Sequence, residues 1–312
     1  MNGHFCSKIG KTFGWAGLLV LGILASCGAG GGNNEPTDSA DSGTIHISVD
    51  ESFKPVIDSE IRVYEALHPK THIIAHYKPE ADCLRDLVVD SVRMVIATRG
   101  ASEAERRFIS DSLLLDVKSK VLAYDAIAVV VHPDSPDSLF TVQEIRDLLT
   151  GTSTKKLRPV FDGLKATSTV RFVIDSVLRG APLSPKVTAA ESSEGVIDYV
   201  SKTRDAVGFI GVSWVGNRQD TTQLSYLSKV RVASLEHPLV PRKFVTPAQF
   251  NIFYRRYPLV RDLVASLKER HRGLGLAFYY FLSDQRGQLI FNRAFLMPAQ
   301  IDFRTREAEV RE

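Results

Sequence analysis

The sequence predicts an α/β protein with mainly parallel sheets. Short apolar strands recur along the chain, helices with apolar faces separate them, and the connections are brief. Met94-Val95-Ile96-Ala97 and the run from Ala126 to Val131 are wholly apolar, as strands buried on both faces of a parallel sheet are.

Taken in order, Thr44 to Val49 alternates through Ile45, Ile47 and Val49 and reads as the first strand. Asp50 can cap the helix that follows, where Phe53, Val56, Ile57, Ile61 and Tyr64 share a face. Thr71 to Tyr77 is a second strand, Leu84 to Leu87 begins a short helix, and residues 102–109 form another. His132-Pro133 ends the apolar strand at 126–131. Thr141 caps a helix that runs through Leu149 and stops at Gly151. Val160-Phe161 is a strand, and a helix from Ser168 to Arg179 follows a polar loop. Residues 195–200 are helical and 206–212 a strand. The tail reads as a strand-like segment at 249–254, then helices at 259–270, 274–282 and 285–295.

The N-terminus has a different character. Lys8 and Lys11 precede an apolar stretch from Phe13 to Leu24. At about a dozen residues it fits the h-region of a signal peptide and falls short of the roughly 20 needed to span a bilayer. Leu24-Ala25-Ser26-Cys27 follows at once and resembles the bacterial lipobox, which implies cleavage after residue 26 and lipid on Cys27. Residues 27–44, rich in glycine, read as a flexible tether. A mature chain of about 285 residues suffices for one large domain or two lobes.

Charge and cysteine content narrow the function classes. The formal net charge of +3 falls by two when Lys8 and Lys11 leave with the leader, so no global charge argues for nucleic acid. Cys6 leaves too and Cys27 is lipidated, so Cys83 has no disulfide partner and reads as a buried small hydrophobe.

Several segments together resemble the phosphate-binding (PstS-like) family of ABC-transporter receptors. Tyr257-Pro258-Leu259-Val260-Arg261, Gly275-Leu276-Ala277-Phe278 and Ser283-Asp284-Gln285-Arg286-Gly287-Gln288 follow that family's C-terminal run. Thr141-Val142-Gln143-Glu144-Ile145 leading to Leu149-Thr150-Gly151 resembles its leucine-rich helix ending in glycine. Ala206-Val207-Gly208-Phe209-Ile210-Gly211 resembles one of its strands. Together with the loop at Ser52-Phe53, the segments are collinear over about 240 residues. The resemblance implies a two-lobed periplasmic-binding-protein type II fold, with mainly parallel sheets joined by two crossing strands. The crossings fall near 124–128 and 250–257. Residues 45–125 with 251–312 then form lobe 1, and 126–250 form lobe 2.

An oxyanion receptor needs N–H groups and hydroxyls converging on one point. Thr167-Ser168-Thr169 precedes a helix and resembles the family's anion loop, with Arg171 one turn in. Ser52-Phe53 resembles its first loop, and Thr98-Arg99 stands at the third position. Read without the resemblance, Thr167 to Thr169 is a helix-capping cluster and Arg99 a solvated arginine. Two departures stand out. The family often has an acceptor aspartate where Arg99 stands, and arginine only donates. The change would weaken discrimination against fully ionised oxyanions, or favour a carboxylate or organic phosphate. Asp50 and Glu51 place charge beside Ser52, which opposes an anion unless they point away or cap the helix.

Other constellations carry less. His68, His72 and His76 are spaced by four, but a separation of four along a strand is roughly 13 Å, too far for one metal ion. Gly211-Val212-Ser213-Trp214-Val215-Gly216 misses the nucleophile elbow by one residue. The implied function is a lipid-anchored, monomeric solute-binding protein at the cell envelope, facing the periplasm or exterior. It captures inorganic phosphate or a similar oxyanion for an ABC permease, without cofactor or catalysis. The alternative is an envelope sensor or interaction lipoprotein on the same fold, with its small ligand changed or lost.

Overall fold

The structure, a computed structural model, describes residues 37–300 except residues 166 and 218. The leader, Cys27 and most of the tether lie outside the described residues. The first half holds β1 (Ser42–Asp50), α1 (Lys54–Leu67), β2 (Lys70–Lys78), α2 (Glu80–Arg85), β3 (Val92–Ala97) and α3 (Glu103–Leu113). Strand β4 (Val117–Val131) crosses to the second half. That half holds β5 (Leu139–Phe140), α4 (Val142–Thr150), β6 (Arg158–Phe161), α5 (Ser168–Phe172), β7 (Thr188–Ala189) and α6 (Ser193–Lys202). It continues through β8 (Ala206–Gly211), α7 (Thr221–Lys229), β9 (Arg231–Val232), β10 (Ser234–Glu236), β11 (Phe244–Val245) and α8 (Gln249–Phe253). Strand β12 (Val260–Lys268) returns to the first half, and α9 (Leu274–Ser283), α10 (Gln285–Arg293) and β13 (Met297–Pro298) follow.

The main sheet runs β2-β1-β3-β12-β4-β8-β6-β7. Its two outer thirds are parallel: β1 pairs with β2 and β3, and β6 with β7 and β8. Its centre is antiparallel, because β12 lies between β3 and β4 and β4 runs on to β8. Within β4, residues 117–126 face β12 and residues 127–131 face β8, so the hand-over falls between Ala126 and Ile127. The returning chain is fastened at that same point. Ile127 N–H donates to Leu259 O at 2.9 Å and Tyr257 Oη donates to Ile127 O at 2.8 Å.

Local chemistry sets several boundaries as the sequence predicts. Thr141 and Glu144 form a reciprocal capping box at the start of α4. Gly151 ends that helix at φ +83°, and a Cβ there would lie 2.6 Å from Ser184 Oγ, so glycine is required twice over. Cys83 is buried with Sγ towards Lys78 O, and burial pushes its thiol up, which fits a structural rather than a reactive cysteine.

Two assignments in the tail are reversed. Residues 249–254, expected as a strand, contain α8, and residues 259–270, expected as a helix, contain β12. Leu259, Leu263 and Leu267 recur at spacing four, with Val260 and Val264 beside them, which imitates a helical stripe. A strand covered on both faces has no reason to alternate, and of the nine residues of β12 all but Asp262 are buried.

Behind the sheet, Phe161 of β6 stacks on Phe209 of β8 with centroids 4.7 Å apart, both fully buried. Phe209→Ala should lower unfolding stability by about 3–5 kcal/mol. Urea titration checks this, and a loss within experimental error would contradict the packing described.

Candidate functional site

The register of the crossing strands pairs Arg261 of β12 with Asp125 of β4. Arg261 Nε donates to Asp125 Oδ2 at 2.7 Å, and both side chains are sealed from water. Arg261 Nη1 reaches the start of α5, donating to Ser168 Oγ at 2.9 Å and Thr169 Oγ1 at 3.3 Å. The guanidinium carbon lies 5.2 Å from the centre of the Phe53 ring. Nη2 has no partner. Gly211, at the end of β8, makes this approach possible: a Cβ would come within 3.2 Å of Ser52 O and 3.3 Å of Nη2. Burial by itself would lower the Arg261 guanidinium, and the facing carboxylates Asp125, Asp50 and Asp162 more than offset that and hold it above its ordinary value.

The opposite wall is the turn between β1 and α1. Asp50 Oδ1 accepts from Ser52 N at 3.1 Å, so Asp50 caps as its position in sequence suggests. Ser52 Oγ lies 3.3 Å from Ser168 Oγ, and Ser52 O accepts from Trp214 Nε1 at 3.0 Å and Ser213 Oγ at 3.2 Å. Glu51 also reaches the second half, accepting from Ser193 Oγ at 2.9 Å and Ser193 N at 3.3 Å. Ser193 Oγ lies 3.4 Å from Asp162 Oδ2. Burial pushes Asp50 up to about 6 against the pull of Arg261. Burial and the charge of Asp162 push Glu51 up to about 7. Asp50 Oδ2 and Asp162 Oδ1 are buried without a partner.

A second polar cluster bridges the halves nearby. Glu80, 2% exposed, accepts from Arg171 Nε at 2.6 Å, Arg171 Nη2 at 3.3 Å and Thr98 N at 3.0 Å. Arg171 Nη2 also donates to Thr98 Oγ1 at 2.6 Å, and that hydroxyl donates to Glu80. Burial would raise the Glu80 carboxyl, but Arg171 and Thr98 reverse the effect and hold it below its ordinary value. A carboxylate of the chain therefore occupies a donor set suited to an anion. Arg99 forks onto Glu105, at 2.8 and 2.9 Å, and braces the first turn of α3. Beside these pairs a cavity of about 870 Å³ opens between α2 and α5, with Leu84, Val88, Leu164, Val170 and Ile174 among its walls.

Of the residues the sequence singles out, Ser52, Phe53, Ser168 and Thr169 come together around Arg261. Thr167 caps α5, its hydroxyl accepting from Val170 N. Arg99 and Arg171 lie apart from that centre, each held by a carboxylate. Sequence reasoning missed Arg261, Asp125, Asp162, Glu80 and Ser193. The clearest signal was Arg261 itself, an arginine between Val260 and Leu263-Val264 inside an apolar run. Among the histidines, His76 sits on β2 as read, and its Nε2 meets His46 Nδ1 at 2.9 Å. Asp38, Glu269 and His271 are close enough to share an ion. Their carboxylates, however, already accept N–H groups of Leu274, Gly275 and Leu276 and so hold the start of α9.

Parallel-sheeted halves, two antiparallel crossing strands and a polar seam between them define a two-lobed binding-protein fold. The family model described as "PBP superfamily domain" matches residues 34–285, and the chain belongs to that superfamily. Solved structures agree on the fold. One described as a phosphate ABC transporter substrate-binding protein from Clostridium perfringens, with bound phosphate, superposes with a TM-score of 0.69 at 19% identity, covering 83% of this chain and 100% of that one. An ABC-type phosphate transport receptor from Vibrio cholerae gives 0.61 at 18% identity, covering 81% and 99%. The regulatory domain of MetR, a LysR family regulator from N. meningitidis, gives 0.52 at 12% identity, covering 83% and 100%. No curated protein matches.

Two predictions follow from the geometry. Arg261→Leu should cost about 3–5 kcal/mol by stranding Asp125, and adding Asp125→Leu should restore much of it. Urea unfolding of the two single variants and the double variant measures both, and additive losses would contradict a coupled pair. The raised acids also set a pH dependence. Between their ordinary values, 3.8 and 4.5, and about 6 to 7, Asp50 and Glu51 ionise first in the unfolded chain. Their contribution to stability therefore falls as pH rises through that window and is level above it. Glu51→Gln should flatten the fall in unfolding midpoint from pH 4.5 to 7, and an unaltered profile would contradict the assignment.

Proposed function

We propose that the cleft between the two halves captures a small tetrahedral oxyanion, phosphate first, for delivery to an ABC permease. The observation that carries this reading is the convergence of Ser52, Ser168, Thr169 and the unpartnered Nη2 of Arg261, from three separate parts of the chain, on one buried point. Hydroxyl and guanidinium donors in a water-excluded site are the chemistry that an oxyanion requires. Membership of the superfamily and the fold shared with phosphate-transport receptors support the reading. The role is binding without catalysis by a monomer, with no nucleic acid partner. Lipid on Cys27 would tether the receptor to the membrane, facing the periplasm or exterior, where a released ligand meets the permease.

One observation favours a second reading, a sensor or interaction lipoprotein that has lost its small ligand. Glu80 and Glu51 already occupy donors on the opposite half, so the halves hold together through the chain's own carboxylates. The fold shared with a regulatory domain is compatible with that role.

Isothermal titration of the full chain in detergent separates the two. Phosphate or arsenate should bind, and Thr169→Val should weaken binding by about tenfold through loss of a charge-assisted contact. No heat with phosphate, arsenate or sulfate at millimolar concentration would remove the oxyanion reading. Labelling with a radioactive fatty acid should mark the wild-type chain and spare Cys27→Ser. Equal labelling of both would remove the anchor.

A further inference from the structure

We propose that the ligand is a singly charged phosphate monoester or phosphonate, with its tetrahedral head in the cleft and an apolar organic substituent in the adjoining cavity. The proposal rests on the oxyanion reading above and narrows its substrate class.

The cavity, at about 870 Å³, falls in the range of sites for small organic molecules, and Leu84, Val88, Leu164, Val170 and Ile174 offer apolar surface that a bare inorganic ion cannot use. Leu84 and Val88 come from the first half, and Leu164, Val170 and Ile174 from the second, so the cavity spans the same seam as the cleft. The two spaces meet at Thr167. That residue lines the cavity, and its hydroxyl faces Asp162 within the polar centre.

One guanidinium, Arg261, faces Asp50, Asp125 and Asp162. A dianion entering this centre meets more negative charge than positive. A monoanion that keeps one P–OH suits it better. Its anionic oxygen can accept from Arg261 Nη2, and its hydroxyl can donate to Asp50 Oδ2 or Asp162 Oδ1, all three now buried without partners. Replacing a further oxygen by an ester or carbon link removes a group that the site cannot match and directs the substituent past Thr167. At the rim, Arg99 and Arg171 are neutralised by Glu105 and Glu80, whereas Lys165 has no ion pair among the described residues. Lys165 is the free cation that would draw the anion in. Entry of the head parts Ser52 from Ser168, which now touch across the seam.

Titration of the full chain at about pH 5, where phenylphosphonate, phenyl phosphate and inorganic phosphate each carry mainly a single charge, with benzoate alongside, tests this. Either aromatic phosphorus ligand should bind at least about tenfold tighter than inorganic phosphate, the gain expected from burying a phenyl group in part. Ile174→Asp should remove most of that advantage, and the exposed Lys165→Glu, which leaves the packing untouched, should slow association. Phosphate binding as tightly as the aromatic ligands would overturn the proposal and leave the oxyanion reading standing. Benzoate binding equally well would overturn the tetrahedral head. Binding of none of the four would overturn both.

Discussion

Arg261 sits on the returning strand with its guanidinium enclosed, and the groups that meet it come from separate parts of the chain. Asp125 faces it from the other crossing strand, Ser168 and Thr169 from the start of α5, and the Phe53 ring from the turn before α1. An enclosed arginine keeps its charge, so each neighbour must supply an acceptor, a ring face or close backbone. The glycine at 211 and the placement of Asp125 opposite Arg261 follow from that requirement. The two halves are joined by covalent crossings, and at their meeting point they are also joined by this one charge.

The seam is richer in carboxyl groups than an anion site needs. Asp50, Glu51, Asp125 and Asp162 gather near one arginine, while a second arginine, Arg171, is paired with Glu80. Burial offsets part of the repulsion by raising these acids, Glu51 to about 7. The same crowding makes the chemistry selective. A ligand that carries its own proton satisfies acceptors that a fully ionised one would repel.

Much of the fold was legible because its signals are local. Asp50 and Thr141 act as caps, Gly151 stops α4, and the apolar runs at 94–97 and 126–131 are strands. The hydroxyls at 167–169 could be found because serine and threonine gather where a helix begins. Arg261, although it interrupts an apolar run, is easily passed over, because a doubly covered strand hides its period and an arginine in an apparent helix reads as surface charge. Glu80 and Arg171 are 91 residues apart, and no spacing in the sequence announces that the carboxylate will occupy the arginine. Arg99 illustrates the same limit: its position suggested a ligand, and its contact with Glu105 is a brace for α3.

On the proposed reading an oxyanion lies at Arg261, between Ser52 and the Ser168-Thr169 pair. Crystals of the protein grown with arsenate, whose arsenic scatters anomalously, test it most directly. One strong arsenic peak should stand in the seam, with the arsenate oxygens in hydrogen-bonding range of Arg261 Nη2 and Ser168 Oγ. An arsenic peak only on the surface, or a seam still closed between Ser52 and Ser168 at saturating arsenate, would contradict it.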